Sequence, residues 1–528
     1  MSRNELNDER EDVVSEEEGT DEFSISRRNF LRGLGTALGG VAIGGGTAGV
    51  AFGQGGIPSG YTFYRFITVG DVFANTNRIG GITPAVMLGS VNSAGGDPSS
   101  GVMFFHGKQM PTGDPAVYRV LLQYPGGKPP LPIGIDVLLS QGGSLSSIDG
   151  VPDDQLPLLV SNIGTGSGNA VGNYATTISA EDTGEGSQDG SMSLKSLPGA
   201  YLYTHATKSW KKVVRFGDES TEGGKYGGIF GDIVLNDDNS VVLVAATTDP
   251  PSSLSSSSSR SRTPAFAGSH VVVNVDDSGG STLLLKSGDM LPGTNAMIEG
   301  FGLIDVSRGR HFIAQVIARR ADILDAPPGN AVVQGRVGLA GQNRTDGMTL
   351  LAASSHLLPE ALLKTDSVIL GESIIGPRIG ARGLAALVTH NPVFAAGTAE
   401  LERQRFTTIS GTGRNLIVRA GDSRGPRSVA ALGAPVVSSE VAISYVAELL
   451  EDGSTQLVVT DGTTRQVILR SGDSIQGSTV TEINHGYHPA QVDVFGRLAF
   501  AAEFFKNANG NPNDPTNIET SIIIGIPA

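Results

Sequence analysis

Residues 213–218 read VVRFGD, and the chain repeats that design as LLKSGD at 284–289, IVRAGD at 417–422 and VILRSGD at 467–473, with a looser copy, FITVGD, at 66–71. Each copy is a short apolar run that ends in glycine and then aspartate. Glycine reaches positive φ without steric cost, and an aspartate side chain accepts N–H bonds from its own turn, so the pair marks where an extended strand stops and the chain turns. The aspartates are Asp71, Asp218, Asp289, Asp422 and Asp473. One reading gathers them into a ring of carboxylates; the other makes them punctuation at the end of each unit of a repeat. Each closes the outermost strand of its unit, and aspartate in a turn needs no further chemistry to account for it. They are therefore read as structural repeat turns, and no catalytic residue is assigned.

The spacing of these marks leaves two double-length gaps. DVLLSQGG at 136–143 divides the first, and MTLLAASSH at 348–356 divides the second, giving strand ends near 71, 143, 218, 289, 356, 422 and 473. Seven units of about 50–75 residues result. A period of this size points to a solenoid, a propeller or an array. Inside the third unit the order is GGIFGDIVL, the turn NDDNS, VVLVAATTD, a serine-rich loop, HVVVNVD, a short turn and TLLLKSGD. Four strands per unit is the pattern of a propeller blade. The sixth unit repeats it as GAPVVSS, VAISYVAELL, TQLVVTD and RQVILRSGD, with EDGS and DGTT supplying tight-turn chemistry. The seventh offers only three strands, and the fourth is available as YTFYRFITVGD at 61–71. The expected fold is an all-β seven-bladed propeller with four-stranded antiparallel blades, formed by 61–528 and closed by strand 61–71 joining the last blade. Closure removes the exposed edges that otherwise aggregate, and its non-local pairing folds slowly.

Ahead of the repeats, 1–25 is acidic and poor in apolar residues, the composition of a disordered leader. SRRNFLR at 26–32 then precedes the weakly hydrophobic, glycine-rich run GLGTALGGVAIGGGTAGVAFG. Paired arginines before such a run resemble a twin-arginine export signal over 26–53, with Arg27 and Arg28 as the recognition pair. The glycines lower both helix propensity and transfer energy, which argues for a cleavable signal over a transmembrane helix. No second apolar run of spanning length follows, so no membrane span is expected in the mature chain. The resemblance implies the twin-arginine export machinery as a partner, and a periplasmic, cell-surface or extracellular destination.

The turn between first and second strands has its own pattern: NSAG at 92–95 before VMFF, NDDN at 236–239 before VVLVA, DVSRG at 305–309 before HFIAQ, and DVFG at 493–496 before RLAFAA. With the strand-Gly-Asp element, this resembles exported bacterial proteins built of tandem Asn-x-x-Gly-x-x-Ala-Phe repeats. The resemblance spans nearly all of 61–528. It implies a β-propeller-like array, and the family brings no activity or functional residue with it.

Composition excludes several classes. The chain has no cysteine, so disulfides, thiolate metal sites and a cysteine nucleophile are absent. A net charge of −15 without a basic stripe argues against nucleic acid as a partner. His485 and His488 in NHGYHP are the only closely spaced histidines and would need a third ligand to hold a metal. GTGSGNAVGN at 164–173 looks like a phosphate loop but lacks a strand and helix around it and a Walker lysine, so it reads as a glycine-rich blade turn. The Asp/Asn-rich stretches at 274–280 and 507–517 carry oxygen donors suited to calcium, without the EF-hand order, and no other cofactor is expected. PSSLSSSSSRSR at 251–262 reads as a flexible insertion.

The connections between second and third strands are expected to be the long ones, at 180–198, 247–268, 319–335 and 505–519, and to share one face with the turns after each Gly-Asp. Binding residues tend to sit on loops held by a rigid scaffold. The expected function is that of an exported, non-catalytic binding or interaction module, meeting a polar ligand or a surface partner at that face. An extracytoplasmic propeller hydrolase or lyase acting on a polysaccharide or phosphoester, with calcium, and a cell-surface adhesive protein are the alternatives.

Overall fold

In the computed structural model the residues described are 57–528, apart from 73–77, 90–98, 127, 170, 180–197, 222–223, 249–267, 308–309, 339–346, 366, 381–383, 392–393, 396–397, 400–402, 411–412, 425–426, 438–442, 485–489, 494 and 507–513. The leader, Arg27, Arg28 and the histidines His485 and His488 lie outside the described residues, as do NSAG at 92–95 and the serine-rich insertion.

The strands form the seven-bladed β-propeller that the repeat predicts. Blade 1 is Arg78–Gly89, Ser100–Met110, Pro115–Gln123 and Leu131–Ser140; blade 2 is Asn162–Gly168, Tyr174–Ser179, Gly199–Thr204 and Ser209–Arg215. Blade 3 is Lys225–Leu235, Val241–Thr248, Gly268–Val275 and Ser281–Lys286, and blade 4 is Ala296–Val306, His311–Arg320, Gly329–Arg336 and Thr349–Ala353. Blade 5 is Ser373–Ile379, Ala385–Asn391, Arg403–Ser410 and Gly413–Arg419; blade 6 is Arg427–Leu432, Ser444–Leu450, Thr455–Thr460 and Arg465–Arg470. Blade 7 takes Ser478–Ile483, Leu498–Phe505 and Ile518–Pro527 from the end of the chain, and its outer strand is Tyr61–Thr68. That strand pairs antiparallel with Ile518–Pro527, Tyr61 facing Pro527 and Thr68 facing Ser521. The N-terminal strand therefore closes the ring.

Seven buried apolar clusters lie between neighbouring blades. One joins Ile522 and Ile524 of blade 7 to Met103, Phe105 and Tyr118 of blade 1, and another joins Phe104 and Val117 of blade 1 to Tyr174 and Tyr201 of blade 2. The sequence of clusters continues around the circle. A middle strand is covered on both faces by its neighbours, which explains why VVLVA is a continuous apolar run and why every residue of SYVAELL, Glu448 included, is buried.

Ladder geometry repeats as well. In every blade the central pairing of second and third strands is regular. In every blade the inner strand and the outer strand each meet that central pair through a register shift. An extra residue in a ladder bends the strand and raises its twist. The blade's twist is thus concentrated on its two flanking strands.

Three details differ from the sequence reading. The inner strand of blade 6 is Arg427–Leu432, ahead of GAPVVSS; among the described residues of that stretch Val436–Val437 forms a short pairing and Gly433 donates to the Ala447 carbonyl, while Pro435 carries no N–H for a ladder. The second-to-third connection of blade 4 is 321–328, since Arg320 and Gly329 are already paired. Blades 1 and 6 make that connection in four residues, 111–114 and 451–454, whereas their first-to-second connections, 90–99 and 433–443, are the longer ones. Among the described residues no helix is long and apolar enough to cross a membrane.

Candidate functional site

The Gly-Asp turns build the long-loop face. In each of the five, the aspartate carboxylate accepts the backbone N–H three residues back: Thr68, Arg215, Lys286, Arg419 and Arg470 donate over 2.8–2.9 Å. The preceding glycine has φ between 84° and 105° and donates its N–H to the inner strand of the next blade, as Gly217 does to Tyr226 and Gly472 to Val480. The aspartate's own carbonyl accepts the return bond from the same residue of that strand. Each turn therefore caps one blade and staples it to the next. The five carboxylates are spent on local bonds, at the outer strands of five different blades.

Two crossings depart from this pattern. At 141–143 the backbone bonds survive, with Gly142 and Gly143 bracketing Val160, but glycine stands where the aspartate would be. After blade 4 the geometry changes. Ser354 takes the place of Ser287 and Ser471, its hydroxyl accepting the N–H of Asn330, but the next two residues are Ser355 and His356 and enter a 3-10 turn. The chain then adds the short helix Glu360–Leu363 and a parallel pairing of Ile369–Leu370 with Ala352–Ala353 before blade 5 begins. Glu372 accepts both the N–H and the hydroxyl of Ser355, at 3.1 and 2.9 Å, while its own carbonyl accepts from Asn330 Nδ2 at 2.9 Å. His356 Nδ1 lies 3.7 Å from the same carboxylate. Serine, histidine and carboxylate are all present, yet the serine proton is committed to Glu372, so the trio is not wired as a nucleophile and base. It holds the crossing in place.

Around this crossing the surface is apolar. Met290, Met297, Ile317, Ile323, Leu324, Leu363 and Leu370 are exposed, Leu324 at 91 %. Met290 lies in the crossing into blade 4, Met297 is the second residue of its inner strand, Ile317 to Leu324 lie on or beside its second-to-third connection, and Leu363 and Leu370 belong to the crossing out of it. All seven belong to the long-loop face of blade 4. The two crossings approach each other where Gly293 meets Leu362, and Ala321 donates to the Asn295 carbonyl over 2.9 Å. Charged neighbours are paired among themselves: Arg319 with Glu299, Arg320 with Asp322, Lys364 with Glu360. Arg320 and Asn295 hold the Asp322 carboxyl down at about 2. Sequence reasoning missed this patch, because its members are scattered over eighty residues and no local period links them.

The opposite face is a belt of turns. Asn169, Asn236, Ser307 and Asp493 each open a five-residue turn whose fourth residue, Gly172, Asn239, Arg310 or Gly496, has positive φ. In blade 4 this places the turn at Ser307–His311, two residues beyond the position read from DVSRG; Asp305 stays in its strand and accepts the N–H of Ile379 in blade 5 at 2.9 Å. Burial pushes the Asp305 carboxyl up. The turns also grip one another: Asn169 and Asn173 donate to Asn239 and to the Asn236 carbonyl, and Arg310 reaches Asp238 at 3.2 Å. Between blades 1 and 2, buried Arg119 bonds the Tyr203 hydroxyl, Asp136 and, at 3.2 Å, His205 Nδ1. Burial first, and then the charges of Arg119 and Lys208, lower the affinity of His205 for a proton. Among the described residues these bonds link neighbouring blades across their boundaries.

Of the remaining sequence candidates, residues 164–168 of the glycine-rich loop lie in the inner strand of blade 2, and the turn begins only at Asn169. In the stretch 274–280, Asp276 Oδ1 accepts from Ser278 and Gly280, and Asp277 pairs with Lys211. Asp514 likewise accepts from Thr516, while 507–513 lies outside the described residues. Among the described residues no group of three or more His, Asp or Glu is arranged to hold a metal.

No protein-family model matches the chain, and no curated protein matches it. Among solved structures it is similar to an ulvan lyase described as a new family of polysaccharide lyase, with 10 % identity over 84 % of this chain and 93 % of that one and a TM-score of 0.35. It is also similar to the β-propeller domain of the Trilobed protease from Pyrococcus furiosus, with 10 % identity, coverage of 82 % and 98 % and a TM-score of 0.38. A third is the acylaminoacyl peptidase of Pyrococcus horikoshii, with 11 % identity, coverage of 80 % and 50 % and a TM-score of 0.37. These likenesses concern fold class alone, and the blade count stands on the strand pairings themselves.

Proposed function

We propose that this chain is an exported, non-catalytic β-propeller that binds a partner through the long-loop face of blade 4. The observation that carries the reading is the group of exposed apolar side chains from Met290 to Leu370 at the one crossing where the Gly-Asp staple is replaced by an insertion. Water-exposed apolar surface of this kind is retained where a contact covers it. The mutual pairing of the surrounding charges supports an electrically neutral contact with a protein surface. Export by the twin-arginine route belongs to the same proposal and rests on Arg27 and Arg28. That route carries folded passengers, which suits a ring whose first strand pairs only with its last blade.

A photo-crosslinking residue at Leu324, in the protein expressed in an exporting host, tests the contact. Adducts are expected there and not at Thr207, which is exposed at the opposite face. Equal labelling at both positions, or none at either, would remove the contact reading. Replacing Arg27 and Arg28 by lysine is expected to retain the chain in the cytoplasm, and unchanged export would contradict the address.

A further inference from the structure

Blade 5 carries a row of three side chains with no counterpart in the other blades. Thr389, Arg405 and Arg419, in its second, third and outer strands, are direct cross-strand partners. Direct partners project from the same face of a sheet. That face looks toward blade 4: Leu387 and Ile409, in step with Thr389 and Arg405, pack with Ile313, Val332 and Leu351 of blade 4. Val388 and Phe406, out of step, pack with Val429 and Val446 of blade 6.

Two guanidinium groups directly opposite each other repel. In the related turns the basic residue three before the aspartate has a neutral partner: Arg215 faces Gly199, Lys286 faces Val271 and Arg470 faces Gln456. Only in blade 5 does it face another arginine. Among the described residues no ion pair and no side-chain hydrogen bond reaches Arg405 or Arg419. Arg405 Nε is enclosed without a hydrogen-bond partner, and so is the hydroxyl of Thr389, a residue with no exposed surface. A guanidinium has five donors, and enclosing them unpaired is costly. The row runs from the buried hydroxyl through half-buried Arg405 to exposed Arg419, near the long-loop end of the blade. Gly371 of the inserted crossing lies against its closed end: a Cβ there would stand 2.8 Å from Thr389 Cβ.

We propose that Arg405, Arg419 and Thr389 form an oxyanion-binding site on the face of blade 5 that looks toward blade 4. The geometry suits a group with two or more oxygens carrying negative charge, which offsets both guanidiniums and accepts from the threonine hydroxyl. The group is a free phosphate or sulfate, or a carboxylate borne on a sugar. This site is separate from the apolar surface of blade 4, and it stands whether or not that surface binds a protein.

The test is calorimetric titration of the full chain, at constant ionic strength against chloride, with inorganic phosphate, inorganic sulfate and glucuronate in separate arms. Saturable binding is expected in at least one arm, weakened tenfold or more by Arg405→Gln and by Arg419→Gln. Arg470→Gln, at the equivalent position of blade 6, is expected to leave it unchanged. Phosphate or sulfate binding alone marks a tetrahedral anion, and glucuronate binding alone marks a sugar acid. Without ligand, Arg405→Gln is expected to raise the melting temperature, because it removes the like-charge pair. Should that variant misfold, Arg419→Gln, on the exposed side, keeps the test intact. No saturable binding in any arm, or binding that survives both substitutions, overturns the proposal.

Discussion

The carboxylate of Asp218 accepts the backbone N–H of Arg215 across 2.8 Å, and the same bond recurs from Asp71 to Asp473 with a spread of only about 0.1 Å. Its worth is that of one turn-capping hydrogen bond. Asp473→Ala is expected to lower stability by about 1 kcal/mol, with Asp473→Asn costing less, as measured by chemical denaturation. Gly472, at φ 94°, is held in backbone space that a side chain resists, and Gly472→Ala is expected to cost about 1–2 kcal/mol. A neutral result for both would mean that these turns do not staple one blade to the next.

Arg497 sits 3.8 Å from the centroid of the Tyr124 ring and bonds Asp493, joining the first turn of blade 7 to blade 1. Both charged groups are buried, and burial pushes the Asp493 carboxyl up while Arg497 opposes that rise. Arg497→Ala leaves the carboxylate enclosed without its countercharge, so a loss of about 3–5 kcal/mol is expected. Arg497→Met combined with Asp493→Asn is expected to lose clearly less, by the same denaturation measurement.

His106 Nε2 lies 2.9 Å from the Tyr174 hydroxyl between blades 1 and 2, and burial holds its pKa down at about 4 against an ordinary 6.5. The folded state therefore binds the proton more weakly than the unfolded state. Its contribution is complete above pH 6.5, is lost as pH falls toward 4, and changes no further below that. The difference across the window is about 3 kcal/mol. His106→Gln is expected to flatten the fall in stability between pH 7 and pH 4 by roughly that amount; an unchanged slope would show that the histidine is solvated.

Seven units, four strands per unit and closure by the first strand were all legible in the chain, because a Gly-Asp turn is a local signal and the middle strands are buried on both faces. What was not legible depends on register or topology. Arg405 and Arg419 face each other through a turn and a register shift that no pattern in 403–419 announces. The apolar surface of blade 4 joins two crossings and a connection that are distant in sequence. The two decayed copies were found as strand ends, but nothing in SQGG or SSH told that one keeps the staple and the other replaces it with an insertion.

Leu324→Asp is expected to change stability by no more than about 0.5 kcal/mol, since the side chain is almost fully exposed. A large loss by the same denaturation measurement would place Leu324 in a packed environment and remove it from the contact surface.

Ring closure by strand 61–68 is the claim on which the rest stands, and the chain's lack of cysteine allows a clean test. Thr62 and Ile526 are paired across the closing ladder. Facing positions of this kind bring Cα atoms to about 4.5–5.5 Å, within reach of a disulfide. Thr62→Cys with Ile526→Cys, oxidised in the folded protein and mapped by peptide mass spectrometry, is expected to give an intramolecular bridge and a higher melting temperature. A control pair, Thr62→Cys with Ser209→Cys in blade 2, is expected to give none. If the first pair stays reduced while the protein is folded, the N-terminal strand does not complete the seventh blade, and the closed ring is wrong.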